Sequence, residues 1–172
     1  MTNHAPLIEA LARYRRYHRA RRNVATHALG IPMIVLAVEI LLSRPVWELP
    51  GFTLTPSVIA TAAAALYYLK LDKLLGGALA LVLIGMARLG LEIAQMDTAV
   101  WLGSGIGLFV LGWALQFLGH HFEGRKPAFL DDLRSLLIGP LFVTAEAAFA
   151  LGLCGELKAE IERESQSLMS LP

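Results

Sequence analysis

The stretch that decides the fold is VATHALGIPMIVLAVEILL, Val24 to Leu42, led in by RYRRYHRARRN, Arg13 to Asn23. An apolar run of this length, interrupted by one acid, Glu39, matches the ~20 residues a helix needs to cross hydrocarbon. Working outward, comparable runs recur at Phe52 to Leu69, Leu74 to Ile93, Val100 to Leu118 and Leu136 to Leu153, the first of these cut near its start by Pro56. The chain has 172 residues, of which 56% belong to the hydrophobic set and 17% are charged, with a mean hydropathy of +0.57. A soluble domain this small leaves too much of its surface in water to hide that share of apolar side chains. The pattern therefore predicts an all-α polytopic membrane bundle of about five spans, in a single integral membrane domain over residues 1–172. A basic N-terminal helix (1–22) precedes the bundle (24–153), and a charged tail (155–172) follows it.

In the N-terminal segment, Leu7, Leu11, Tyr14 and His18 recur at helical spacing on one face, widened by Ile8, with Arg13, Arg15, Arg16 and Arg19 around the rest. This is the pattern of an amphipathic basic helix lying on a membrane surface. No cleavable signal peptide is expected, because the apolar stretch after the basic residues is too long for a signal core. The one cysteine, Cys154, excludes an intrachain disulfide and a cysteine-based zinc site. The link Lys70-Leu71-Asp72-Lys73 reads as a tight helical hairpin, and no nucleic-acid partner is expected.

Counting spans along the chain puts the N-terminus, the 70–73 link and the 119–135 link on one side, with six, two and three Lys/Arg, eleven in all. The other side carries Arg44, Lys158 and Arg163, and Arg88 lies within a span. The positive-inside bias then sets the N-terminus in the cytoplasm. The expected location is a bacterial inner membrane, or the endoplasmic reticulum in a eukaryote. Glu39, Arg88, Glu92 and Glu146 fall in or near spans, where such groups usually face the protein interior. Arg88 and Glu92 are spaced to pair with each other, and Glu39 and Glu146 to hydrogen-bond across helices. Small residues at Gly76, Gly77, Gly103, Ser104, Gly105 and Gly107 permit close helix contact, within one chain or in a homo-oligomer.

All five histidines, His4, His18, His27, His120 and His121, fall on the cytoplasmic side of this arrangement. Nine residues separate His18 from His27, which on one straight helix would put them on opposite faces. They share a ligand only if the helix breaks between them, and Asn23, a good N-cap residue, is the expected break. His120 and Glu123 share a helix face, whereas His121 is turned away. The economical metal site is His18, His27 and His120, with Glu123 as a ligand or as the carboxylate that orients an imidazole. Such a donor set with open positions suits Fe2+ and oxygen chemistry, with zinc and manganese as alternatives. His4 and His121 are read as bystanders.

Tyr17-His18, Asn23, His27 and Gly30-Ile31-Pro32, followed by Gln116-Phe117-Leu118-Gly119-His120, Glu123-Gly124, Lys126-Pro127-Ala128 and Gly139-Pro140-Leu141-Phe142, resemble the two motifs of the 2-hydroxy fatty acid dioxygenase family of membrane proteins. The resemblance covers roughly residues 10 to 155. It implies an iron-dependent oxidoreductase that uses Fe2+ and O2 to shorten a 2-hydroxy long-chain fatty acid by one carbon, the α-oxidation step. Carried over by position, His18, His27 and His120 match the motif histidines, and Glu123 and Asn23 join the catalytic set. Fungal members carry one more residue between the motif histidine and glutamate, which leaves open how Glu123 serves. Arg125 or Lys126 would hold the substrate carboxylate, and the acyl tail would lie among the spans. The competing readings are another metal-dependent membrane lipid enzyme and a non-enzymatic lipid-binding bundle. The closely spaced histidine boxes of membrane fatty acid hydroxylases are absent from the chain.

Overall fold

A computed structural model describes residues 4–124 and 127–170. The described residues are 80% helical. Its elements are α1 (Ala5–Arg15), α2 (Arg21–Leu42), a β-hairpin of β1 (Trp47–Leu49) and β2 (Phe52–Leu54), α3 (Pro56–Leu71), α4 (Lys73–Ala94), α5 (Thr98–Glu123), a short 3-10 turn (Ala128–Leu130), α6 (Ser135–Ala150) and α7 (Gly155–Ser170). Among the described residues, α2, α4 and α5 are long and apolar enough to cross a membrane, while α3 and α6 are apolar helices of 16 residues each. The all-α membrane fold is thus as the sequence implies. Exposed apolar side chains such as Leu81 (72%) and Leu74 (69%) mark surface that needs lipid rather than water.

The chain divides into two compact units. One comprises Met1–Ala28 with Leu115–Pro172, and the other Leu29–Ala114. In the second unit, α3 and α4 form the expected hairpin, with Asp72 as its single connecting residue. Asp72 ends α3, and its carboxylate accepts the amides of Leu74 (2.9 Å) and Leu75 (2.7 Å) at the start of α4. Gly76 is obligatory there, because a Cβ would collide with the backbone carbonyl of Tyr68. The expected second span starts late. Phe52 to Leu54 is paired as a strand with β1, in register Trp47 to Leu54, and the helix begins only at Pro56, capped by the Thr55 hydroxyl. Proline is favoured in that first helical position because its missing N–H is not needed.

Buried Glu39 finds its partners inside this unit. Glu39 of α2, 5% exposed, accepts from the hydroxyls of Ser57 and Thr61 on α3, the latter at 2.8 Å. Gly90 presses on the backbone of Glu39 and Ile40, and Gly105 on the Leu41 side chain, so small residues do serve close contact within the chain. Arg44 donates to the carbonyls of Ala94 (2.7 Å) and Met96 (2.8 Å) and lies over the Trp101 ring at 4.5 Å. Arg88 and Glu92 pair at 3.1 Å on an exposed face.

In the first unit, the apolar face of α1 is present as its spacing implies, but protein covers it. Leu7 (0% exposed), Leu11 (1%) and Tyr14 (8%) are buried, and α1 packs against α7 and α6, with Ile161, Leu141 and Phe142 also buried. Burying each of these large side chains contributes about 1.5–3 kcal/mol. Arg15 adds ion pairs to Glu146 of α6 at 2.6 Å and to Glu162 of α7 at 3.2 Å.

Candidate metal centre

The helical break that lets His18 and His27 meet lies upstream of the position expected for it. α1 ends at Arg15, residues 16–20 form a turn, and α2 starts at Arg21 and runs straight through Asn23. Asn23 is therefore not the cap. The cap comes from Glu123, at the far end of α5, whose Oε2 accepts the backbone amides of Arg19 (3.0 Å) and Ala20 (2.8 Å). A carboxylate at a helix N-terminus satisfies orphan N–H groups and meets the positive end of the helix dipole. Asn23, fully buried, ties the same knot from the other side. Its Nδ2 donates to the Tyr17 carbonyl (3.1 Å) and to Glu123 Oε2 (3.0 Å).

This arrangement brings three histidines together. His18, His27 and His120 are 2%, 2% and 6% exposed, and one nitrogen from each falls within 4.8 Å of the others. Their ring centroids are 4.3 Å (His18 to His27), 5.0 Å (His18 to His120) and 4.9 Å (His27 to His120) apart. Tyr14 stacks on the outer face of His18 at 4.1 Å with the planes 6° apart, and Phe142 packs on both rings. Gly119 lets α5 close on α2. A Cβ there would meet Thr26 Oγ1, Asn23 Oδ1 and His27 Nδ1.

The tautomers follow from the partners. Backbone carbonyls only accept, so His18 Nδ1–H donates to Tyr14 O at 2.8 Å and His27 Nδ1–H to Asn23 O at 3.0 Å. In the neutral rings this leaves both Nε2 atoms as lone pairs, and they face each other at 3.0 Å. Burial, opposed by the hydrogen bond to Tyr14 and reinforced by His120, pushes the His18 pKa down to about 4, so that ring is neutral at pH 7. Two facing lone pairs at this distance repel unless a cation bridges them. A separation of 3.0 Å is also that of two nitrogens held at ~2.1 Å from one ion and at right angles. His120, whose Nδ1 is buried and without a hydrogen-bond partner, completes a donor set that fits a divalent ion. The three histidines can therefore hold a metal, and three protein ligands leave coordination positions open.

Glu123 is outside the group of three, its Oε2 engaged by the amides it caps. His4 and His121 are outside it too. Arg125 and Lys126 lie outside the described residues. Sequence reasoning did not assign the Tyr14 platform or the contact at Gly119. The helix-face position of Tyr14, four residues before His18, was the available signal for the first, and the small residue before His120 for the second. Glu146, expected to hydrogen-bond across helices, does so with Arg15 of α1.

No solved structure matches the chain. A curated relative, the 2-hydroxy-palmitic acid dioxygenase of Saccharomyces cerevisiae, is 34% identical over 163 residues, covering 92% of this chain and 88% of the yeast protein. The family model described as 2-hydroxy-palmitic acid dioxygenase Mpo1-like matches residues 4–151, a span that contains all three clustered histidines and Glu123. With the imidazole cluster, the motifs and both comparisons in agreement, the chain belongs to the Mpo1-like family.

Proposed function

We propose that this protein is an Fe2+-dependent dioxygenase that shortens 2-hydroxy long-chain fatty acids by one carbon, with the ion held by His18, His27 and His120. The observation that carries the proposal is the pair of buried Nε2 lone pairs at 3.0 Å beside a third imidazole. The yeast relative's name supplies the substrate class. In the balanced reaction the C1–C2 bond breaks, C2 becomes the carboxyl of the shortened acid, and C1 leaves at the oxidation level of CO2. One O2 accepts the four electrons. The iron, when bound, supplies oxygen activation. The chain's own residues hold the imidazoles in one tautomer, through Tyr14 O and Asn23 O, and exclude water from them. Glu123 and Asn23 are positioning residues, fixing the start of α2 against the end of α5. Arg125 and Lys126 are the cations available to the substrate carboxylate where α5 gives way to polar chain.

Anaerobically purified protein, loaded with Fe2+ and given 2-hydroxypalmitate, is expected to consume oxygen and release the C15 acid. Oxygen uptake without a shortened acid would sink the proposal.

The packing of the first unit also supports a topology of four crossings, α2 to α5, with both chain ends on the cytoplasmic side. α1 packs on α7, and Arg15 bridges α6 and α7. A crossing at α6 would separate these partners by a hydrocarbon layer of ~30 Å. Lys158 and Arg163 then join the basic side, which holds thirteen Lys/Arg against Arg44 alone. Cys154, the single cysteine, tests this. A membrane-impermeant maleimide is expected to spare it in intact cells and label it once the membrane is opened. Labelling in intact cells restores the fifth crossing.

A further inference from the structure

We propose that Gln116 binds substrate, its side-chain amide donating a hydrogen bond to the 2-hydroxyl oxygen of the fatty acid; this rests on the function proposed above. Gln116 is 5% exposed, yet its Nε2 has no hydrogen-bond partner. Buried donors are nearly always satisfied, so an unmatched one beside a ligand-binding cluster points to a ligand. Its neighbours Leu115, Phe117 and Leu118 are apolar, and packing alone would be served by another such residue.

The position of the amide selects the group it meets. Gln116 lies four residues before His120 on α5, one turn away on the same face. Gly119, on that face too, is the residue pressed against Asn23, Thr26 and His27. This stripe of α5 is therefore the one turned to the histidine-bearing start of α2. Along α5 the chain passes Gln116 within the apolar run, then His120, then Glu123 at the polar end of the helix. Gln116 is thus ~6 Å of helix rise from His120 on the side away from that polar end. An acid whose carboxylate lies toward the polar end of α5, and whose tail lies in the apolar span, presents C2 on the Gln116 side of the cluster. A donor placed there reads the hydroxyl, and a site built around such a hydrogen bond rejects the analogue that lacks it.

The experiment compares wild type with Gln116→Leu, both purified anaerobically in detergent with Fe2+. Binding of 2-hydroxypalmitate and of palmitate, which lacks the hydroxyl, is measured without oxygen. The expected result is wild-type iron content and an equal or higher melting temperature. Affinity for 2-hydroxypalmitate should weaken by roughly 10-fold or more, with palmitate binding unchanged and KM rising more than kcat falls. Equal weakening for the two acids, unchanged affinity for both, or loss of iron or of melting temperature overturns the assignment. Wild type that binds the two acids equally well also overturns it. Wild type that prefers the hydroxy acid but consumes no oxygen removes the proposed reaction and leaves the Gln116 assignment standing.

Discussion

In the second unit, Glu39 receives a hydroxyl from Ser57 and another from Thr61, one on each carboxylate oxygen. In the first unit, His18 and His27 commit their Nδ1 protons to backbone carbonyls and turn their Nε2 atoms on each other, while His120 Nδ1 and Gln116 Nε2 go unmatched. Both clusters are buried, and both lie in or beside apolar helices. The difference is whether the protein satisfies them by itself. A closed set of hydrogen bonds between helices fastens the fold and asks for nothing more. An open set, kept dry and pre-oriented, can take an ion or a substrate.

The largest effect expected from breaking this contrast is in the first unit. His120→Ala should lose stoichiometric iron and all turnover, while circular dichroism stays that of the wild type; iron analysis of protein purified without oxygen checks it. A variant that keeps full iron occupancy would show that the cluster is held by a shared proton instead. Glu123→Gln sharpens the contrast by touching the frame and not the donors. It weakens the cap of α2, and iron affinity should fall by about 10–100-fold, measured by competition with a chelator. No change would mean that the turn before α2 holds without the charge. The smallest effect belongs to the closed cluster. Glu39→Gln should cost about 1 kcal/mol of stability, read as a lowered melting temperature, with iron affinity unchanged. A loss of iron there would erase the distinction between the two units.

Much of this was legible in the residues. Apolar runs gave the helices, and His18 and His27, spaced to fall on opposite faces of any single straight helix, demanded a break between them. What misled was the assumption that a cap is local. Asn23 has the chemistry to start a helix, but its amide is drawn into the contact with Glu123, and the true cap arrives from a residue one hundred positions away. No local pattern records that. The α1 face poses a similar problem. Leu7, Leu11 and Tyr14 announce that something apolar covers them, but lipid and protein impose the same spacing, so the presence of α7 and α6 could not be read from it. Phe52 to Leu54 has the apolar character of a span and is taken instead by a hairpin strand, because the helix cannot be continued back through Pro56 and its Thr55 cap.

The capping of α2 by Glu123 has a consequence for how the protein is made. His18 and His27 leave the ribosome early, but the carboxylate that orders their turn and the third imidazole come some ninety residues later. At a synthesis rate of ~10 residues per second, the early pair waits about ten seconds for its frame. On the proposed function, the metal can be held only once α5, the third of the long apolar helices, has been made, and a nascent chain that stalls before that point lacks the complete donor set.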